Sequence, residues 1–158
     1  MLKVRYALLV TFSPLAIAGC AFSPTGDVNE AAARYKTSTG RTYVDCGQSE
    51  STATCSEKSP STINLSPQQC LLDAAKARKP AQLFVTETGF DGNKAPTIYI
   101  VDAAPGSTDY SVVTFTDVHN QDPSTLPPGE ANIFTGSCRG VAGVSACGQI
   151  ELSNCDAL

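Results

Sequence analysis

Tryptophan is absent, histidine occurs once, at His119, and the only methionine is the first residue. With a single imidazole, any general-base or zinc chemistry has to run through His119 and its neighbours. Cations are scarce as well. Of the eleven Lys and Arg, Lys3 and Arg5 lie at the amino terminus; from residue 20 onward nine face fifteen Asp and Glu, a formal charge of −6. A phosphate-binding surface needs clustered cations, so no nucleic-acid partner is expected. The uncharged apolar stretch at residues 6–18, "YALLVTFSPLAIA", falls short of the about 20 residues a bilayer-spanning helix needs, and Pro14 interrupts it.

A basic start, a short apolar stretch and a small-residue end together make a secretory signal that is removed before folding. Two cleavage chemistries fit. Ala16, Ile17 and Ala18 satisfy the small-x-small rule of an ordinary signal. Ile17-Ala18-Gly19-Cys20 is an aliphatic residue, two small residues and a cysteine, and it resembles the lipobox of bacterial lipoproteins. The resemblance covers only about the first twenty residues. It implies a signal peptide at 1–19, diacylglycerol on the Cys20 thiol and acylation of the new amino terminus. Because each buried CH₂ contributes roughly 0.8 kcal/mol, several acyl chains anchor a protein stably in a membrane. Ala21 in place of Asp implies sorting to the outer membrane, facing the periplasm.

Cysteine arithmetic separates the two chemistries. The chain has seven cysteines, an odd number that leaves one without a partner in an oxidising compartment. With Cys20 committed to lipid, Cys46, Cys55, Cys70, Cys138, Cys147 and Cys155 remain and close up to three disulfides. Six cysteines allow 15 pairings. Turn-like stretches between strand candidates favour two local bridges, Cys46–Cys55 and Cys138–Cys147, leaving Cys70 to meet Cys155.

Residues 20–40 read as a lipidated, flexible tether. Asp27 with Glu30 three residues on is an N-terminal capping pattern ahead of "AAARY", enough for a turn or two of helix. Residues 41–158 then form a single domain. "RTYVDC" and "TATCSE" read as two strands joined by the turn "GQSES". Ser66 and Pro67 start a helix with Ser66 as cap, running through "PQQCLLDAAKARK" to Pro80, with Cys70, Ala74 and Ala77 on its apolar face. Beyond Pro80 the period changes from 3.6 to 2. "AQLFVTET", "TIYIVD", "YSVVTFT", "ANIFTGSC" and "GQIELSNC" are strands separated by Gly-, Pro- and Asp-rich turns. The expected fold is α+β: an antiparallel sheet in β-β-α-β meander order with one packed helix, stapled by up to three disulfides.

Chemistry-bearing patterns are few. Gly136-Ser137-Cys138-Arg139-Gly140 has the outline of a nucleophile elbow with His119 as a base, but no helix pattern follows, and Cys138 reads as a disulfide half. Asp117, His119 and Asp122 carry competent metal ligands, yet they fall in a polar, proline-rich loop and read as solvated. Asp91-Gly92-Asn93 lacks the ligand spacing of a calcium loop and reads as a turn. The Asn64 sequon has no expected role in a bacterial lipoprotein. Tyr43, Phe84, Tyr99, Tyr110, Phe115 and Phe134 alternate within strands as core residues, whereas Phe90 sits at a hairpin tip and is the candidate partner contact. No metal or cofactor is expected. The reading is a membrane-anchored envelope lipoprotein that acts as a non-catalytic binding or interaction module with an envelope protein as partner. The alternative is an envelope hydrolase or metal-dependent enzyme built on His119 with Asp117 and Asp122.

Overall fold

The computed structural model describes residues 27–55, 63–118 and 133–156. Cys20, His119 and Asp122, with the signal and the loop around them, lie outside these residues. The first helix, α1, is Val28–Thr39. Asp27 caps it by accepting a hydrogen bond from the Glu30 amide at 2.9 Å, and Gly40, in the left-handed region at φ 64°, closes it by donating to Lys36 and Thr37 carbonyls. Val28, Ala31 and Ala32 are buried against Ile98, Ile100, Val113, Phe115 and Ile133. The capping signal was therefore sound, but residues 28–39 are a packed helix of the folded body and not part of a tether. Its apolar stripe is completed by Tyr35, whose ring lies 5.8 Å from that of Phe115, a partner that local pattern does not reveal.

Strand β1, Val44–Thr52, runs straight through "GQSE". Gly47, at φ 86°, absorbs the irregularity as a register shift between Asp45 and Gln48, and the Asp45 carboxylate accepts from its amide at 3.0 Å. Among the described residues no hairpin folds back after "RTYVDC", because Val44 to Thr52 is one strand. Instead the chain crosses over through α2, Ser66–Lys76, and returns as β2, Ala81–Thr88, parallel to β1. Leu65 and not Ser66 occupies the cap position of α2; the Ser66 amide instead donates to the Asn64 side chain at 3.1 Å. The helix ends at Lys76, ahead of the expected stop, and its buried face is Gln68, Leu71 and Ala75; Ala77 is exposed.

Four further strands follow: β3, Lys94–Ala103; β4, Tyr110–Asp117; β5, Ile133–Val144; and β6, Ile150–Asp156. The sheet order is β1-β2-β3-β4-β5-β6, antiparallel except at β1–β2. Among the described residues the fold is thus α+β, a six-stranded sheet with two helices and three disulfides. The order is helix-strand-helix followed by a five-stranded meander, where β-β-α-β and one packed helix were expected.

Strand alternation sends successive residues to opposite faces. Ile98 and Ile100 meet α1, while Tyr99 and Val101 meet α2 together with Leu83, Val85 and Val112. On the α2 side the two ends of the sheet meet around that helix. The Thr52 amide donates to the Cys147 carbonyl at 3.1 Å, and the fully buried Gln68 amide donates to the carbonyls of Glu50 and Gly148.

The bridges are Cys46–Cys70, Cys55–Cys147 and Cys138–Cys155, with Cα separations of 5.7, 5.5 and 3.9 Å. All three differ from the expected pairing. Cys46 meets the crossover helix because β1 has no hairpin partner in sequence. Cys55 lies at the edge of the sheet that curls back to the β5–β6 turn, where Cys147 sits. Cys138 and Cys155 face each other in the β5–β6 register.

Candidate binding cleft

The curl of the sheet leaves a cleft of about 580 Å³ beyond the start of α2, a volume in the range of small-molecule sites. Its floor comes from Glu87 and Tyr99 and its walls from Ser51 and Ala53 at the end of β1, the β2–β3 turn, and residues 149–151. Odd-numbered positions of β2 and β3 all face α2, so the strand period places Glu87 and Tyr99 on one surface. The Tyr99 hydroxyl donates to the Glu87 carboxylate. Burial pushes the Glu87 carboxyl above the ordinary carboxylate range, against the opposite pull of the Tyr99 hydrogen bond. Burial also raises the Tyr99 hydroxyl, and the neighbouring carboxylate adds to that effect. The proton therefore stays on Tyr99, and the pair offers the Glu87 carboxylate as a hydrogen-bond acceptor in the lining of the cleft.

The rims are held in place. The Cys55–Cys147 bridge and the Thr52–Cys147 hydrogen bond fix the end of β1 against the start of β6. On the other side the β2–β3 turn is closed by Asp91, which accepts from the Asn93 amide at 3.0 Å and from its side chain at 2.6 Å. Gly92 supplies the left-handed φ of 79° that this turn requires. The motif read as a turn is one. Glu87, Asp91 and Glu151 outnumber Lys94 along the lining, so the cleft presents an acceptor-rich surface suited to a ligand that donates hydrogen bonds.

A second polar cluster lies on the opposite face. Asp102 accepts from the Tyr35 hydroxyl at 2.7 Å, from the Tyr43 hydroxyl at 3.1 Å and from the Arg41 guanidinium. Burial pushes the Asp102 carboxyl up, but the hydrogen bonds from Tyr35, Arg41 and Tyr43 outweigh it and hold the group below its ordinary range. These contacts, with Lys36 donating to Gln82 at 2.6 Å, clamp the carboxyl end of α1 onto the sheet. Beside them a shallower cleft of about 530 Å³ is lined by Arg41, Asp102, Tyr110 and Arg139.

The remaining candidates fall as follows. Gly136–Gly140 lies within β5, so the strand-turn-helix of a nucleophile elbow is missing, and Cys138 is in a disulfide. Asp117 ends β4, paired in register with Ile133. Among the described residues, no three His, Cys, Asp or Glu are grouped to hold a metal ion. Phe90 is 84 % exposed at the β2–β3 turn, the hairpin tip where it was placed. Phe134, expected in the core, is exposed on β5. Sequence reasoning missed Glu87; its only signal was a carboxylate at a position in register with Leu83 and Val85 on the buried face. No helix among the described residues is long and apolar enough to cross a membrane. The chain matches no protein-family model, and comparison with curated proteins and with solved structures gives no match.

Proposed function

We propose that this protein is a lipoprotein of the bacterial envelope, held in the outer membrane through acylated Cys20 and facing the periplasm, and that it works as a non-catalytic binding module. The ligand site is the Glu87–Tyr99 cleft. The observation that carries the reading is the way this cleft is built. A polar floor lies between one wall that a disulfide and a hydrogen bond hold in place and a turn closed by the Asp91–Asn93 hydrogen bonds, so the site is formed before a ligand arrives. Preorganisation of that kind lowers the ordering cost of association. The lipobox and the odd cysteine count support the anchor.

Two measurements test this. Metabolic labelling with palmitate should mark the wild-type protein in the membrane fraction and leave Cys20→Ser unlabelled; equal labelling of both would remove the anchor. A thermal-shift panel of amines, saccharides and short peptides should yield a class that stabilises the wild-type protein. A ligand at 100 times its Kd contributes about 2.7 kcal/mol. That shift should vanish in Glu151→Gln and persist in Arg139→Ala. A shift indifferent to Glu151, or no stabilising class at all, would overturn the cleft as the site.

A further inference from the structure

The position of α1 decides which end of the domain meets the membrane. Cys20 precedes the cap residue Asp27 by seven residues, so at most about 25 Å of extended chain separates the proposed acylated thiol from the start of the helix. A helix of 12 residues is itself about 18 Å long. The start of α1 is therefore tied close to the bilayer while its far end need not be.

The direction of α1 across the sheet follows from its contacts. Near its start, Asn29 and Ala32 share a groove with Phe84 and Ile98. Toward its end, Lys36 reaches Gln82 and Tyr35 reaches Asp102. The helix thus travels with β3 from Ile98 toward Asp102, and against β2 from Phe84 toward Gln82. The β2–β3 turn lies beyond Phe84 and Ile98, on the side from which α1 comes. Helix start and hairpin tip belong to the same end of the domain. Val44, paired with Ala81, lies at the other end.

At that membrane-near tip stands Phe90, 84 % exposed and the most exposed large apolar side chain among the described residues. The turn around it is braced by the Asp91–Asn93 hydrogen bonds and by the Gly89 amide donating to the Asn93 carbonyl at 2.9 Å. An aromatic ring fixed on a rigid turn is suited to the headgroup level of a bilayer, where its apolar face is buried without ordering new backbone.

We infer that the β2–β3 turn is a membrane contact, with Phe90 seated in the interface of the bilayer that holds the Cys20 acyl chains. The inference rests on the lipid anchor proposed above. One ring is too little to bind a membrane by itself. Once the acyl chains keep it within reach, binding becomes intramolecular, and the ring then sets the orientation of the domain. Asp91 and Lys94 leave residues 88–94 without net charge, so electrostatic attraction to anionic lipid is not supplied and a zwitterionic surface is the partner. Because the same turn forms one wall of the Glu87–Tyr99 cleft, this orientation places the cleft at the membrane surface.

The absence of tryptophan makes the test clean. Acylated full-length protein carrying Phe90→Trp, and separately Val44→Trp, is reconstituted into phosphatidylcholine and phosphatidylethanolamine vesicles. The expected result is a blue-shifted F90W emission that is quenched severalfold by acyl-brominated lipids. V44W, exposed at the far end, should keep its aqueous spectrum. Identical far-UV circular dichroism for both variants shows that the fold is retained. If the acylated protein floats with vesicles while F90W stays as water-exposed and unquenched as V44W, the contact is refuted and the anchor stands. If mass spectrometry finds no acyl group on Cys20, or the protein does not float, the anchor falls and the inference with it.

Discussion

Replacing Asp102 with alanine removes one acceptor on which three donors converge, Tyr35 from α1 and Arg41 and Tyr43 from the segment before β1. The Tyr35 and Tyr43 hydroxyls donate to it at 2.7 and 3.1 Å, and both are partly buried. A hydrogen bond to a charged group contributes about 1.5 kcal/mol or more, and partly buried hydroxyls recover some hydration when it is lost. The Arg41 ion pair adds little, because 27 % of that side chain is in water. The expected loss is about 2–3 kcal/mol. In urea, with a slope of about 1.5 kcal/mol/M, the midpoint should fall by about 1.3–2 M with an unchanged slope. The pH dependence has a definite sign. The native Asp102 carboxyl lies below its unfolded value, so its contribution is complete above the unfolded pKa, about 3.9, and is lost as pH falls through the native one. The gap between wild type and Asp102→Ala should be widest near neutrality and close in acid. A gap under about 1 kcal/mol at pH 7, or one that does not narrow below about pH 4, would refute this account of how α1 is held. So would full additivity of D102A with Tyr35→Phe in a double-mutant cycle.

Three further expectations follow from single contacts. Converting Cys55 and Cys147 together to serine opens a loop of 92 residues and should cost about 4–5 kcal/mol on the chain-entropy model; a loss under about 2 kcal/mol, measured by urea unfolding, would mean that the curled sheet does not depend on that bridge. Gly148→Ala places a side chain at φ 75° with its Cβ 2.6 Å from the Glu50 carbonyl, and should destabilise by about 2 kcal/mol or more; a neutral result would contradict the close approach of β1 to the β5–β6 turn. The native Glu87 carboxyl lies above its unfolded value, so it favours folding in acid and its contribution declines as pH rises through the native pKa. Glu87→Gln should therefore gain stability relative to wild type as pH rises from about 4.3 toward 7, and parallel pH profiles would show the carboxyl to be freely hydrated.

Signals that act over a few residues were legible in the chain. The Asp27–Glu30 cap, the Gly92 turn and the strand alternation from residue 81 onward each involve groups that meet within one turn or one strand. The count of three bridges was likewise arithmetic, and the exposed place of Phe90 at a hairpin tip followed from its neighbours. The pairing of the cysteines did not follow. Nor did the parallel β1–β2 pair, the docking of α1 or the meeting of Glu87 with Tyr99. "GQSE" has turn composition, yet β1 passes through it because the parallel ladder to β2, 30 and more residues on, outweighs a local preference. Residues 28–39 look too weakly apolar for a packed helix until Tyr35 finds Phe115 and Asp102, 80 and 67 positions away. Cys55 stands 92 positions from its partner, and only the curl of the sheet around α2 brings the two sulfurs together. The sequence by itself determined the helix cap at Asp27, the strands from residue 81 onward and the parity of the cysteines, because those depend on neighbours along the chain. Tertiary structure alone decided which faces, carboxylates and thiols meet, because closure of long loops is a collective property of the packed sheet.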